Sequence, residues 1–189
     1  GSEMCIRDRT TQLYNTMIAH AFFEKDHLAI IDAGLTALDP ESEIHQIVSD
    51  VKKWYLVNRN DWLATRQAFI SKYWSGVRGG PGGGNGYRTI TAVTIAALLH
   101  GEGDFVESIR LAFNFGWDAD NTAAMVGTIL GVIKGEKWIR NQGWKIKDEY
   151  KNTRRPGMPT DLTFGDFADL HVDITQMVIL DNGGEKIKI

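Results

Sequence analysis

Helical periodicity constrains this chain more than any other feature of its sequence. Between residues 39 and 57 the apolar side chains Ile44, Ile47, Val48, Val51, Trp54 and Tyr55 fall on one stripe at helical spacing. Asp39 is a natural N-cap for that segment, with Pro40 at the first helical position, where a missing N–H costs nothing. Upstream, Leu28, Ile31, Leu35 and Leu38 form a second stripe, opened by Asp26 as cap. Asn60 can cap a third helix that carries Trp62, Phe69 and Tyr73. Two further helical segments flank the turn His100-Gly101-Glu102-Gly103-Asp104, and Asp104 and Glu107 have the spacing of a capping box. Near the C-terminus Thr163 and Asp166 repeat that spacing. The stripe Phe167, Leu170, Ile174, Val178 follows, and Asn182-Gly183-Gly184 stops it. Strand-like alternation is confined to residues 186–189. The pattern predicts an all-α domain, a multi-helix bundle, with helices near 27–38, 40–57, 61–73, 88–99, 105–115, 121–134 and 164–181.

Length and composition fit one such domain. The chain has 189 residues, 43% of them hydrophobic and 24% charged, enough for a buried core. No run approaches the roughly 18–20 apolar residues of a membrane span, and no signal-peptide pattern opens the chain. Lys and Arg number 21 against 24 Asp and Glu, a net charge of −3, which argues against a general nucleic-acid binder. The lone cysteine, Cys5, excludes an internal disulfide and fits a reducing, cytoplasmic setting. Gly1-Ser2 reads as a tag-cleavage scar. Met4-Cys5-Ile6-Arg7-Asp8-Arg9 resembles translated adapter sequence from assembled metagenomic reads. Residues 1–9 are therefore set apart as a leader, and residues 10–189 are expected to form a single helical domain.

The glycine stretch Gly79-Gly80-Pro81-Gly82-Gly83-Gly84-Asn85-Gly86 invites a phosphate-binding reading, but it contains neither Gly-Lys-Ser/Thr nor Gly-x-Gly-x-x-Gly. It is expected to be a mobile connector. The histidines His20, His27, His45, His100 and His171 form no metal-ligand motif and are read as surface or packing residues. Chemistry concentrates in Phe115-Gly116-Trp117-Asp118-Ala119-Asp120-Asn121-Thr122-Ala123-Ala124. Two carboxylates and a carboxamide share a short corner there, and hard oxygen ligands of this kind suit Mg²⁺, Mn²⁺ or Ca²⁺. The alternative is helix capping, with Asp120 as the cap and Asp118 on the helix dipole. Beyond the corner, Ala123, Gly127 and Gly131 form a small-residue ridge against which another helix can pack closely.

This corner resembles the signature of the ADP-ribosylglycohydrolase family, the group that includes the dinitrogenase reductase-activating glycohydrolase. The signature reads Gly-Gly-Asp-Thr-Asp-Thr-x-Ala-Ala followed by a glycine-rich helix. Here it stands as Gly116-Trp117-Asp118-Ala119-Asp120-Asn121-Thr122-Ala123-Ala124, then Gly127, Gly131, Gly135 and Trp138. The turn at 98–105 is similar to that of bacterial members. The resemblance implies an all-helical fold with a two-metal centre of Mg²⁺ or Mn²⁺. That centre positions ADP-ribose and a water for cleavage of the glycosidic bond to an acceptor. It implies Asp118, Asp120 and Asn121 as metal ligands, and Gly116 and Trp117 as substrate-binding residues. The family's Gly-Asp-x-x-Gly and Thr/Ser-Asp-Asp-Thr motifs do not occur in this sequence. The chain is therefore expected to correspond to the C-terminal half of a longer enzyme, to be inactive alone, and to cover its apolar surface as a homo-oligomer, with neither nucleic acid nor membrane as partner. The competing expectation is a non-catalytic helical module whose Asp118–Asp120 corner is only a cap.

Overall fold

No glycine or proline interrupts residues 3–21, and the chain opens with a helix there, α1 (Glu3–Ala21), although the sequence pattern predicts none before residue 27. The structure is a computed structural model that describes residues 3–186. Helix α1 includes residues 3–9 of the segment set apart as a leader. Arg9 in this helix pairs with Asp39 at 3.5 Å. The chain then continues as α2 (His27–Thr36), α3 (Glu43–Val57), α4 (Trp62–Tyr73), α5 (Tyr87–His100), α6 (Phe105–Phe115), α7 (Ala119–Lys134) and the short α8 (Glu136–Arg140). The strands β1 (Tyr150–Lys151) and β2 (Asp161–Leu162) form an antiparallel hairpin that the sequence pattern misses, and α9 (Phe164–Asp181) follows. The architecture is all-α, as the periodicity predicts. Of the 186–189 tail, residues 187–189 lie outside the described residues.

The described residues fall into two compact units, the first ending at Gln142 and the second beginning at Gly143. In the first, α5 is the axis. Every residue from Thr91 to Leu99 is buried, and α3, α4, α6 and α7 all pack against it. A helix apolar on all sides must be enclosed, and between Arg88 and His100 α5 is such a helix apart from its threonines. Around it Leu13, Met17, Ile30, Ile31, Ile44, Ile47, Leu111 and Ile129 complete the core. Tyr14 of α1 meets Thr91 and Thr94 of α5 inside this core, and burial pushes its phenol up to about 12. Two glycines allow close packing between helices. A Cβ on Gly34 would press on Met17 and Leu13, and one on Gly101 would strike Ser108. The ridge of Ala123, Gly127 and Gly131 is looser, since a Cβ on Gly127 would meet Ile109 Cδ1 at an ordinary 3.6 Å.

Capping explains most helix boundaries and corrects two. Asp26 accepts from Leu28 N at 2.9 Å, Asp104 from Glu107 N at 2.7 Å, and Thr163 and Asp166 close the expected capping box. Asp39, however, does not cap α3. Its carboxylate accepts from Glu41 N two residues on, closing an Asx turn through Pro40, and Ser42 caps the helix instead. Likewise Asp61, not Asn60, caps α4 by accepting from Ala64 N at 3.0 Å. In the second unit, Tyr150 stacks on Phe167 with centroids 4.3 Å apart, and Phe164 N donates to Asp148 Oδ1 at 2.7 Å. Among the described residues no helix is long and apolar enough to cross a membrane.

Candidate ligand pocket at the glycine loop and the Asp118 corner

The glycine stretch is a folded loop, not the mobile connector expected from its composition. Ser75 N donates to Gly82 O at 2.9 Å, Gly84 N to Val77 O at 3.1 Å, and Arg88 N to Pro81 O at 3.2 Å. The buried Thr89 hydroxyl of α5 donates to Gly83 O at 2.7 Å, fastening the loop to the core. The glycines are there for space. A Cβ on Gly83 would collide with the Gly79 carbonyl, and one on Gly86 with the carbonyls of Gly80 and Pro81. Composition alone reads as freedom; the close backbone approach that only glycine allows reads as its opposite.

The base of the loop is set by charge. Asp50 of α3 is buried and accepts from Lys72 Nζ, Tyr73 Oη and Gln46 Nε2. Burial pushes its pKa up, but these hydrogen bonds and the Lys72 charge outweigh burial and hold the carboxyl below the usual range. Burial, with Asp50 alongside, raises the Tyr73 phenol. On the other side of the loop, Glu43 accepts from Tyr87 Oη and pairs with Arg88 at 2.7 Å. Both stems of the loop are thereby tied to α3.

Across from the loop, α6 ends at Gly116, whose φ of +90° and ψ of −156° only glycine adopts readily. Trp117 follows at φ +61°, in the left-handed region. Its indole is held on several sides. The Arg66 guanidinium lies over the ring at 4.5 Å, and Arg66 Nε donates to Phe115 O at 2.8 Å. Phe69 and Trp74 meet the ring edge-on with centroids at 5.5 and 5.9 Å. Asp118 is the N-cap residue of α7, yet its side chain makes no capping hydrogen bond.

Loop and corner flank an open pocket of about 410 Å³. Trp117 and Asp118 line it from the corner. Trp74, Gly76, Val77, Arg78, Gly84 and Asn85 line it from the loop. Asp120 and Asn121 stand exposed on the first turn of α7 and do not line it. Asn121 Nδ2 donates toward Asp118 Oδ2 at 3.4 Å, so the carboxamide turns a donor toward that carboxylate. Gly116 shapes the corner through its backbone and is not part of the lining. Sequence reasoning missed the loop side altogether. Its signal was the placement of Trp74, Arg78 and Asn85 among the glycines, residues able to stack, pair with anions and hydrogen-bond. The half-buried His100 is a packing residue, bonded to Thr65 Oγ1 at 2.9 Å and edge-on to Tyr55, and burial lowers its pKa.

A family model described as ADP-ribosylglycohydrolase matches residues 9–163. The chain belongs to the ADP-ribosylglycohydrolase family. The ADP-ribosylglycohydrolase match takes in every residue of the pocket lining and stops before α9. No curated protein and no solved structure matches the chain. The two-metal centre implied by the resemblance meets a sparse donor set here. Among the described residues no three His, Cys, Asp or Glu side chains group as a metal site. Two metals held for in-line chemistry call for several anionic ligands, and the described residues of this corner do not supply them alone.

Proposed function

We propose that this chain is an ADP-ribose-binding part of an ADP-ribosylglycohydrolase, with its ligand seated between the glycine loop and the Trp117–Asp118 corner. The observation that carries the reading is Asp118. Asp118 lines the pocket and its side chain makes no capping hydrogen bond to α7, whereas Asp26, Ser42, Asp61, Asp104 and Thr163 each bond back to their helices. A carboxylate retained only as a cap would make that bond. Arg78 supplies a cation to the lining and suits a phosphate, while Asp118 suits a ribose hydroxyl.

In the family reaction a metal pair would polarise the glycosidic bond and activate water. Asp118, with Asp120 and Asn121 beside it, is this chain's contribution to such a centre, and turnover by this chain alone is negligible. Calorimetric titration with ADP-ribose, with and without Mg²⁺ or Mn²⁺, tests the binding half of the proposal. Saturable binding that weakens in Arg78→Ala supports it, and no heat under any condition returns the helical module. Release of free ADP-ribose from ADP-ribosyl-arginine, abolished by Asp120→Ala, would refute the claim of negligible turnover.

A further inference from the structure

We propose that the second unit is a self-docking surface. The apolar stripe of α9 in one copy of the chain seats on the basic segment around the β1–β2 hairpin of a second copy, whose own α9 seats on the first. The proposal is independent of the ligand pocket, whose lining belongs to the first unit. In α9, Leu170, Ile174, Met177 and Val178 recur at helical spacing and stand 44–63% exposed. Around the hairpin, Trp144, Ile146 and Met158 are open to a similar degree, 38–59%. With roughly 100 Å² open on each, these side chains leave about 700 Å² per copy to cover. That is close to the roughly 800 Å² each partner contributes to a standard interface.

Charge decides the occupant. Helix α9 carries Asp166, Asp169, Asp173 and Asp181 and no Lys or Arg. Asp166 is engaged in the capping box, but Asp169 and Asp173 repel one another across one helical turn, and Asp181 stands at the negative end of the helix dipole. The segment 144–155 has the opposite balance, with Lys145, Lys147, Lys151, Arg154 and Arg155 against Asp148 and Glu149. Lys147 lies 3.7 Å from Glu149, and Asp148 accepts from Phe164 N. Among the described residues, no ion pair involves Lys145, Lys151, Arg154 or Arg155, nor Asp169, Asp173 or Asp181. Helix and hairpin pack together within one copy, Tyr150 on Phe167, without joining these opposite charges. A second copy related by a two-fold axis joins them twice, since each copy then offers an acidic helix to a basic hairpin. Two α9 helices laid against each other would set acid on acid. An anionic bilayer is equally unsuited, because helices that lie on membranes present Lys and Arg beside the apolar face, and α9 presents aspartates.

The test is sedimentation velocity on the full chain, from about 1 to about 100 µM protein and at about 0.05 and about 0.5 M NaCl. A monomer–dimer equilibrium is expected at low salt, with association at least about fivefold weaker at high salt. Ile174→Glu, at an exposed position, should leave helical circular dichroism unchanged and remove the dimer. Charge reversal identifies the seat. Asp169→Lys with Asp173→Lys, and separately Arg154→Glu with Arg155→Glu, should each give monomers, while an equimolar mixture of the two variants should dimerise. In hydrogen exchange, protection of α9 should rise with protein concentration, toward but below that of α5. A chain that stays monomeric at the highest concentration in low salt overturns the proposal. So does a dimer that survives Ile174→Glu, or a mixture no more associated than its components. Strong α9 protection that does not depend on concentration also overturns it, and assigns the stripe to another part of its own chain.

Discussion

Trp117 answers two opposed demands. Its backbone sits where a side chain costs about 1–2 kcal/mol, while its ring is gripped by Arg66, Phe69 and Trp74. Trp117→Gly relieves the first and forfeits the second. Because the indole is only half-buried, the expected result is a net loss of about 1–3 kcal/mol in urea denaturation, less than a buried tryptophan would show. Asp50 makes a prediction of opposite character, one that depends on pH. Its folded pKa lies below the unfolded value, so its contribution is fully present above about pH 4 and is lost as pH falls through the depressed folded value. Asp50→Asn should cost about 1–3 kcal/mol at neutral pH and converge with the parent in strong acid, as read from denaturation midpoints along a pH series.

At the scale of elements, the loop between α4 and α5 gives the sharpest contrast. Gly83→Ala drives a methyl into the Gly79 carbonyl, so ligand binding should disappear while helical circular dichroism persists. Gly79→Ala meets nothing within 4 Å and should bind as the parent does. Equal behaviour of the two variants would mean that the loop is not held as described. The same loop marks the limit of what the sequence discloses. Helices α2 to α7 and α9 are legible because stripes and caps are local, period-bearing signals. The shift of the α3 cap from Asp39 to Ser42 is not, since both residue types cap well and only the turn through Pro40 decides between them. Of the pocket, Trp117 and Asp118 are legible through the family signature. Trp74, Arg78 and Asn85 are not, because a backbone folded on itself by steric necessity has the same composition as a free one.

Across the whole molecule, burial is unevenly shared, and protection should follow it. The amides of α5, enclosed by six other helices, are expected to exchange with solvent at the global unfolding rate. Those of α9, which contains no buried residue, should exchange through local opening orders of magnitude sooner, as read by hydrogen-exchange mass spectrometry. Comparable protection in both would contradict the distribution of burial. The enclosed helix has a mechanical consequence as well. Its first residues are anchored in the glycine loop and its last turn abuts Ser108 at Gly101, so one stiff rod of about 21 Å joins the pocket to the α6 shoulder. A rod of that length, gripped along its whole girth, has no room to bend. The far end of the rod is closely abutted too, since at Gly101 there is no space even for a methyl group beside Ser108.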